Sequence, residues 1–226
     1  MLTARTATPW DDVFSTRAWG RWPAEEVVRA VARLSRGQRM RVLEIGSGAG
    51  AQLWYLEHEG HDAFGVDLSR EGAQRACDRL RDEGMPARLA VGDALALPLP
   101  SAVFDLVLDV EAIAYVPEDR TGSAWREVAR VLRPGGSFLS IAFTPRTYAW
   151  HAARRVGERS VDDIVDGPLA GTPCTALVDE GLVRVLASDA GLGVVDVQRR
   201  GRSTGPEQYW IDELVVLCER AGVSSP

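Results

Sequence analysis

The stretch RVLEIGSGAGAQLWYL, residues 41–56, runs from an apolar segment through three glycines into a helix-like pattern. RVLEI reads as a strand and residues 50–59 as a helix. Gly46, Gly48 and Gly50 remove side chains where the backbone turns sharply and approaches a ligand. A helix starting here points its free N–H groups and positive dipole end at one spot, so an anionic group, phosphate or carboxylate, is expected nearby. Gly46, Gly48 and Ala51 also satisfy the permissive dinucleotide fingerprint GxGxxG/A. On its own the turn leaves open a dinucleotide pyrophosphate, a ligand with no phosphate, and a mere packing turn.

Strands and helices alternate on either side of this turn. DAFGVD (62–67), ARLAV (87–91), FDLVLDV (104–110) and SFLSIAF (137–143) read as strands. Before the turn, Pro23 suits a first helical turn, Val27, Ala30, Val31 and Leu34 make an apolar stripe, and Gly37 ends the helix. Ser69 caps a helix with the apolar face Ala73, Ala76, Cys77 and Leu80, closed by Gly84. Trp125, Val128, Ala129 and Leu132 share one face of a helix over 121–132. Short, nearly continuous apolar strands between amphipathic helices imply a parallel sheet covered on both faces. Ligands of such sheets lie beyond the carboxyl ends of the strands, which gathers the loops after Ile45, Val66, Val91 and Val110 around one cleft.

The segment 144–178 breaks this rhythm and is expected to hold one short helix and a loop, a lid or a substrate wall. A helix near 179–190, a strand GVVDVQRR and a last strand in YWIDELVVLCE follow; the final pair forms a hairpin through GRSTGPEQ. The expected organisation is one domain over 1–226. It comprises an N-terminal helical cap (1–36), a core (37–143), a substrate-side insertion (144–178), and a terminal helix and hairpin (179–226).

Composition narrows the partners. A length of 226 residues with 46 % apolar and 26 % charged residues is ordinary for a globular domain. The net charge of -6 gives no general attraction to nucleic acid or an anionic membrane. Every basic side chain is Arg, which removes Lys as a base or Schiff-base nucleophile. Cys77, Cys174 and Cys218 form no CxxC pair, and no His stands at metal-ligand spacing, so neither a disulfide set nor a metal site is expected. No apolar run resembles a signal peptide or membrane span, so the expected location is cytoplasmic.

Three acids accompany the glycine turn. Asp67, ending the second strand, stands where a carboxylate bonds two ribose hydroxyls, of NAD or of any other unphosphorylated ribose. Asp93, in VGDALALP (91–98), follows the third strand and suits an exocyclic adenine amine, with the N–H of Ala94 or Leu95 beside the ring. Glu44 lies inside a buried strand, which is costly unless it is paired, so it holds the loop or a ligand-side network.

With VLEIGSGAG, GVD, VGDALALP, FDLVLDV and REVARVLRPGGSFLSIAF in order, the chain resembles a class I S-adenosylmethionine-dependent methyltransferase of the small-molecule type, closely over residues 25–143. The resemblance implies a Rossmann-like doubly wound α/β sheet of seven strands, order 3-2-1-4-5-7-6, the last antiparallel, with helices on both faces. It implies S-adenosyl-L-methionine as cofactor and S-adenosyl-L-homocysteine as product. Glu44, Gly46, Gly48 and Gly50 would line the methionine end, Asp67 with Leu68 the ribose, Asp93, Ala94 and Leu95 the adenine, and Asp109 and Val110 the sulfonium.

Catalysis is less marked. Candidates for a base or for orienting the acceptor are His151, the one histidine of the insertion, together with Glu111 and Tyr115. Where many relatives carry a His or an aromatic after the fourth strand, this chain has Ala114. Trp10, Trp19, Trp22, Tyr148 and Trp150 are candidates to close over cofactor and acceptor, or equally to pack the N-terminal segment. The expected activity is methyl transfer to an oxygen or nitrogen of a small-molecule acceptor, with no nucleic-acid or membrane partner. The Arg-only, Ala-rich composition and the unusual insertion point toward bacterial specialised metabolism. Competing readings are an NAD(P)-dependent oxidoreductase, a protein of this fold that binds the cofactor without transferring methyl, and a methyltransferase of protein or RNA, which the acidic charge disfavours. Oligomeric state is open.

Overall fold

A computed structural model describes residues 7–17, 20–204 and 209–222. An N-terminal helix α1 (Pro9–Thr16) and a longer α2 (Glu25–Ser35) precede the sheet. The chain then alternates through β1 (Arg41–Ile45), α3 (Ala51–His58), β2 (Asp62–Asp67), α4 (Arg70–Asp82), β3 (Leu89–Val91) and β4 (Phe104–Val110). It continues through α5 (Thr121–Val131), β5 (Leu132–Phe143) and α6 (Ala149–Ala152). Next come three short strands, β6 (Arg154–Arg155), β7 (Ser160–Asp162) and β8 (Thr175–Ala176), before α7 (Glu180–Asp189), β9 (Leu192–Thr204) and β10 (Tyr209–Arg220).

The main sheet has the order β3-β2-β1-β4-β5-β10-β9. β10 alone runs against β5, Glu213 opposite Phe143, and pairs antiparallel with β9. This is the expected seven-stranded order, since β9 and β10 are the sixth and seventh strands of the main sheet. The strand order reverses between the parallel β1 and β4, so the crevice beyond their carboxyl ends is the natural ligand site.

Strand alternation divides the core between the two faces. Leu43, Ile45, Val107, Phe138 and Val216 pack against Trp125 and Val128 of α5 and Val183 and Leu186 of α7. Val42, Leu106, Leu108, Leu139 and Leu217 pack against Val27 and Val31 of α2, Leu53 and Leu56 of α3, and Leu80 of α4. Each fully buried side chain of this kind contributes ~1.5–3 kcal/mol. The third strand is shorter than expected, Leu89–Val91, because it is an edge strand pairing only with β2 over three residues. The fifth is longer. Gly135, with φ +74°, and Gly136, where a side-chain carbon would lie 2.9 Å from Arg133 O, let the LRPGG run turn directly into it. Arg133 anchors the run on Asp105 at 2.8 Å.

The insertion corrects the expectation of one short helix and a loop. Besides α6 it forms a small antiparallel sheet, β6-β7-β8. Val161, Ile164, Leu169 and Leu177 build a separate apolar cluster with Phe143 and with Ala114 of the turn after β4. The sequence signal was weak because these strands span only two or three residues each. Helix α2 ends one residue earlier than expected, with Arg36 itself left-handed at φ +49° before Gly37.

Candidate functional site

The loops after β1, β2, β3 and β4 meet in a cavity of about 210 Å³, roofed by Trp10 and Phe14 of α1. Its geometry starts at the glycine turn. Gly46 has φ +67°, and a side-chain carbon there would lie 2.2 Å from Ala112 Cβ, so the β1 and β4 loops close only around glycine. Gly48, φ +49°, faces the Phe14 ring, whose atoms would stand 3.0 Å from an added carbon. Gly50, φ +78°, does not line the cavity; it lets α3 pack on Ala76 of α4, where an added carbon would come within 2.9 Å.

The anion expected at the turn is the protein's own. Asp67 Oδ2 accepts the Gly48 N–H at 2.7 Å and Oδ1 the Ser69 N–H at 2.7 Å. The Gly46 N–H goes to Val66 O at 2.7 Å. These donors are therefore spent within the protein. Burial raises the Asp67 carboxyl, and the nearby Asp11 charge adds to it, against the two backbone donors.

Glu44 stands one strand away, 1 % exposed and lining the cavity. Its Oε1 accepts from Gln52 Nε2 at 2.8 Å, while Oε2 has no hydrogen-bond partner. Burial holds its carboxyl well above the ordinary range, Asp67 adding to the effect and the Gln52 donor opposing it. Ser47 Oγ, also at the cavity, likewise has no partner. The Ser47 Oγ lies beside Gly65 of β2, so the orphaned Glu44 oxygen is the one that calls for a ligand with a donor group.

At the third loop, Asp93 Oδ1 accepts the Leu95 N–H at 2.9 Å. Asp93 and Ala94 line the cavity; Leu95 packs instead against the core. Helix α5 braces this loop. Glu127 accepts the Leu97 N–H at 2.7 Å, and Arg130 donates to Leu97 O at 3.0 Å and Leu99 O at 2.8 Å. Leu68 lines the cavity from the second loop.

Asp109 lies under the cavity, not at it. Its Oδ1 accepts the N–H groups of Ala112 and Ile113, both at 2.9 Å, and its Oδ2 the Ser140 hydroxyl at 2.7 Å. Full burial raises its carboxyl to about 6 in spite of these donors. Asp109 thus shapes the β4 loop, while Val110, Glu111, Ala112, Tyr115 and Val116 present themselves to the cavity. Tyr115 meets Trp10 edge-on, ring centroids 4.6 Å apart. Burial raises the Tyr115 phenol, and the Glu111 charge adds to it.

Of the aromatic candidates, Trp10 alone lines the cavity; Trp19 lies outside the described residues. Trp22 is 72 % exposed and packs against Trp54 on the outer surface. Tyr148 donates to Asp166 O at 2.7 Å, and Trp150 lies beneath the Arg155 guanidinium, so both stabilise the insertion. His151 is exposed and does not line the cavity. Phe14, Ser47, Gln52 and Val116 line the cavity without having been singled out from the sequence. For Phe14 the signal was present: an aromatic four residues after Trp10 shares its helix face.

Comparison with known proteins follows the geometry. Residues 42–136 match a family described as "Methyltransferase domain". The methyltransferase GfsG of Streptomyces halstedii is 29 % identical over 213 residues, which is 83 % of this chain and 70 % of that protein. A fatty-acid O-methyltransferase of Mycolicibacterium smegmatis is 41 % identical over 108 residues, 47 % of this chain and only 38 % of its own length. The structure of Burkholderia thailandensis 1,6-didemethyltoxoflavin-N1-methyltransferase, with bound 1,6-didemethyltoxoflavin and S-adenosylhomocysteine, superposes with TM-score 0.64 at 20 % identity, covering 93 % of this chain and 81 % of that one.

Proposed function

The chain is a class I S-adenosylmethionine-dependent methyltransferase, and we propose that it methylates an oxygen or nitrogen of a small-molecule acceptor bound between Trp10, Glu111 and Tyr115. The observation that carries this reading is the orphaned Glu44 Oε2 at the cavity. A buried carboxylate oxygen without a donor is costly, and the cationic amino group of a methionine moiety answers it. Asp67 then takes ribose hydroxyls, a carboxylate oxygen having lone pairs beyond the one given to Gly48. Asp93 and Ala94 take the adenine edge.

Charge favours the same ligand over a dinucleotide. The Asp67 charge raises the proton affinity of Glu44, both acids line the cavity, and the turn's N–H groups already have acceptors. A pyrophosphate would meet two acids and few donors, whereas a ligand with ammonium and sulfonium charges relieves both acids.

S-Adenosylmethionine, when bound, supplies a methyl group on a cationic sulfur, a carbon already activated for displacement. The protein's work is then mainly to hold the acceptor in line and keep water out, which provides ~7–11 kcal/mol where the alignment is good. Trp10 and Phe14 cover the cavity, and an aromatic face over the cation adds ~0.5–2 kcal/mol. Glu111 and Tyr115 are the polar groups on the acceptor side. Low general charge complementarity to nucleic acid and the small cavity support a small acceptor, as do the small-molecule substrates in the names of the Mycolicibacterium and Burkholderia proteins. The GfsG likeness is compatible with a role in bacterial specialised metabolism.

Incubation with S-adenosylmethionine and a panel of phenols, enols, alcohols and amines, followed by mass spectrometry, tests the reading. Acceptors gaining one methyl in step with S-adenosylhomocysteine support it; cofactor binding with no methylated product from any class counts against it.

A further inference from the structure

Behind the acceptor side of the cavity runs a chain of charges that cofactor binding does not use. Glu26 of α2 contacts the Arg200 guanidinium of β9. Arg200 Nε donates to Glu213 Oε2 of β10 at 2.7 Å. Arg202 lies between the last two acids, 3.8 Å from Glu213 Oε2 and 3.7 Å from Glu111 Oε1. Glu213 is fully buried at 0 % exposure, and its Oε1 has no donor. The Glu111 carboxyl lines the cavity, and the neighbouring Glu213 carboxyl holds the Glu111 proton on.

Two adjacent carboxyls that are both ionised repel, so a proton accepted by Glu111 is shared with Glu213. The charge count agrees. Glu26, Arg200, Glu213 and Arg202 sum to zero, so protonated Glu111 leaves the network neutral and ionised Glu111 leaves one negative charge at the cavity wall. Glu111 also holds a left-handed backbone, φ +62°, uncommon for a residue with a side chain. Its N–H donates to Ile141 O of β5 at 2.9 Å, tying the turn to the neighbouring strand. Strain of this kind is retained where the surroundings require it.

We propose that Glu111 is the catalytic base of this enzyme, accepting the proton of a phenolic or enolic hydroxyl on the acceptor, with Glu213 as the positioning residue that shares that proton. The proposal rests on reading the cavity as a methyl-transfer site. The acceptor O–H bond breaks and its proton passes to a Glu111 oxygen. The oxygen's electron pair forms the bond to the methyl carbon as the carbon–sulfur bond breaks, its pair remaining on sulfur. One positive charge and one negative charge are consumed together, so the buried network ends neutral.

The class of hydroxyl follows from the base. Burial and the Glu213 carboxylate both hold the Glu111 proton on, while Arg202 and Arg200 of β9 oppose them; Tyr115, in the turn that follows, also faces Glu111. A carboxyl raised in this way is best matched to a hydroxyl of phenol-like acidity, around 10 in the case of tyrosine. An alkyl alcohol holds its proton too tightly. The Trp10 and Tyr115 rings, inclined at 76°, provide an aromatic corner for such an acceptor.

The test uses the protein saturated with S-adenosylhomocysteine and 4-nitrophenol as the probe, whose visible absorbance reports its own ionisation. The phenolate fraction of the bound probe is expected to exceed that of free probe at the same pH. Glu111→Gln should abolish the excess while changing S-adenosylhomocysteine affinity less than about twofold. Glu213→Gln should reduce it. In carboxyl ¹³C NMR without acceptor, Glu213→Gln should also move the Glu111 titration down toward the ordinary glutamate value near 4.3. A probe bound as neutral phenol in wild type, equal ionisation in wild type and Glu111→Gln, an unmoved Glu111 titration, or a preference for benzylamine over the phenol would each overturn the proposal. Failure of S-adenosylhomocysteine itself to bind would instead remove the methyl-transfer reading on which the proposal rests.

Discussion

The Asp11 carboxylate of α1 accepts the Ser69 hydroxyl at 2.6 Å, tying the cover of the cavity to the first turn of α4. The same oxygen accepts the Glu71 N–H at 3.1 Å, and the other accepts the Thr8 N–H at 2.7 Å. Ser69 in turn caps α4 by accepting the Gly72 N–H at 3.0 Å. One acid therefore caps its own helix and docks it on another.

Asp11→Asn is expected to loosen this cover. Desolvation pushes the Asp11 carboxyl upward, but the Ser69, Thr8 and Glu71 donors outweigh it and lower the carboxyl from 3.8 to about 2. A folded value below the unfolded one gives stability that is present above 3.8 and lost as the pH falls toward 2. The side chain is solvent-accessible, so screening limits the effect to no more than ~1 kcal/mol, or roughly 2–4 °C in Tm. Melting curves should show wild type ahead of Asp11→Asn at neutral pH and the gap closing in acid; a gap independent of pH would contradict the docking role.

Gly46→Ala should destabilise by ~1–3 kcal/mol, since its added carbon would lie 2.2 Å from Ala112 Cβ at a backbone φ of +67°. Adding Ala112→Gly should restore the steric part and leave about 1 kcal/mol of left-handed strain. Urea unfolding of the two single variants and the double variant measures the split. Strict additivity of the two substitutions would show that the residues do not meet.

Asp109 predicts a pH dependence of opposite sign. Burial raises its carboxyl from 3.8 to about 6. A raised folded value gives stability that is full below 3.8 and lost as the pH climbs through 6. The loss relative to Asp109→Asn should reach about 3 kcal/mol, being some two pH units of differential protonation. Urea midpoints of wild type and variant, compared at about pH 4 and about pH 7, read this directly. Parallel behaviour at both would mean that Asp109 titrates as an exposed acid.

Asp93→Ala should weaken S-adenosylhomocysteine binding by tenfold or more, on the order of 1.4 kcal/mol, with little loss of stability. Asp67→Ala should lose as much affinity and also destabilise, because it strands the buried N–H donors of Gly48 and Ser69. His151→Ala should leave binding untouched, its exposed side chain standing off the cavity. Calorimetry on the three variants separates these outcomes.

Much of this fold could be read from the sequence, because period and punctuation agreed. DAFGVD and FDLVLDV are strands over the whole of the quoted runs, and Ser69 caps the helix it precedes. The insertion was not legible, since strands of two or three residues have no period to detect. The site divides along the same line. Glu44, Asp67 and Asp93 sit where strand ends had to bring them, whereas Asp109 turned inward because two loop N–H groups and Ser140 claim its oxygens. His151 attracted attention as a chemical type, but a residue type says nothing about which way a four-residue helix faces. Glu213 escaped notice because a glutamate in a terminal hairpin strand carries no local mark of what lies across from it.

The central claim is that the cavity above the glycine turn holds an adenosyl sulfur ligand through Glu44, Asp67 and Asp93. Calorimetric titration with S-adenosylhomocysteine, alongside NAD as the control, tests it most directly. Micromolar binding of the first is expected, about −8 kcal/mol, weakened at least tenfold by Asp93→Ala, with no heat from NAD. Binding of NAD with no response to S-adenosylhomocysteine would contradict it.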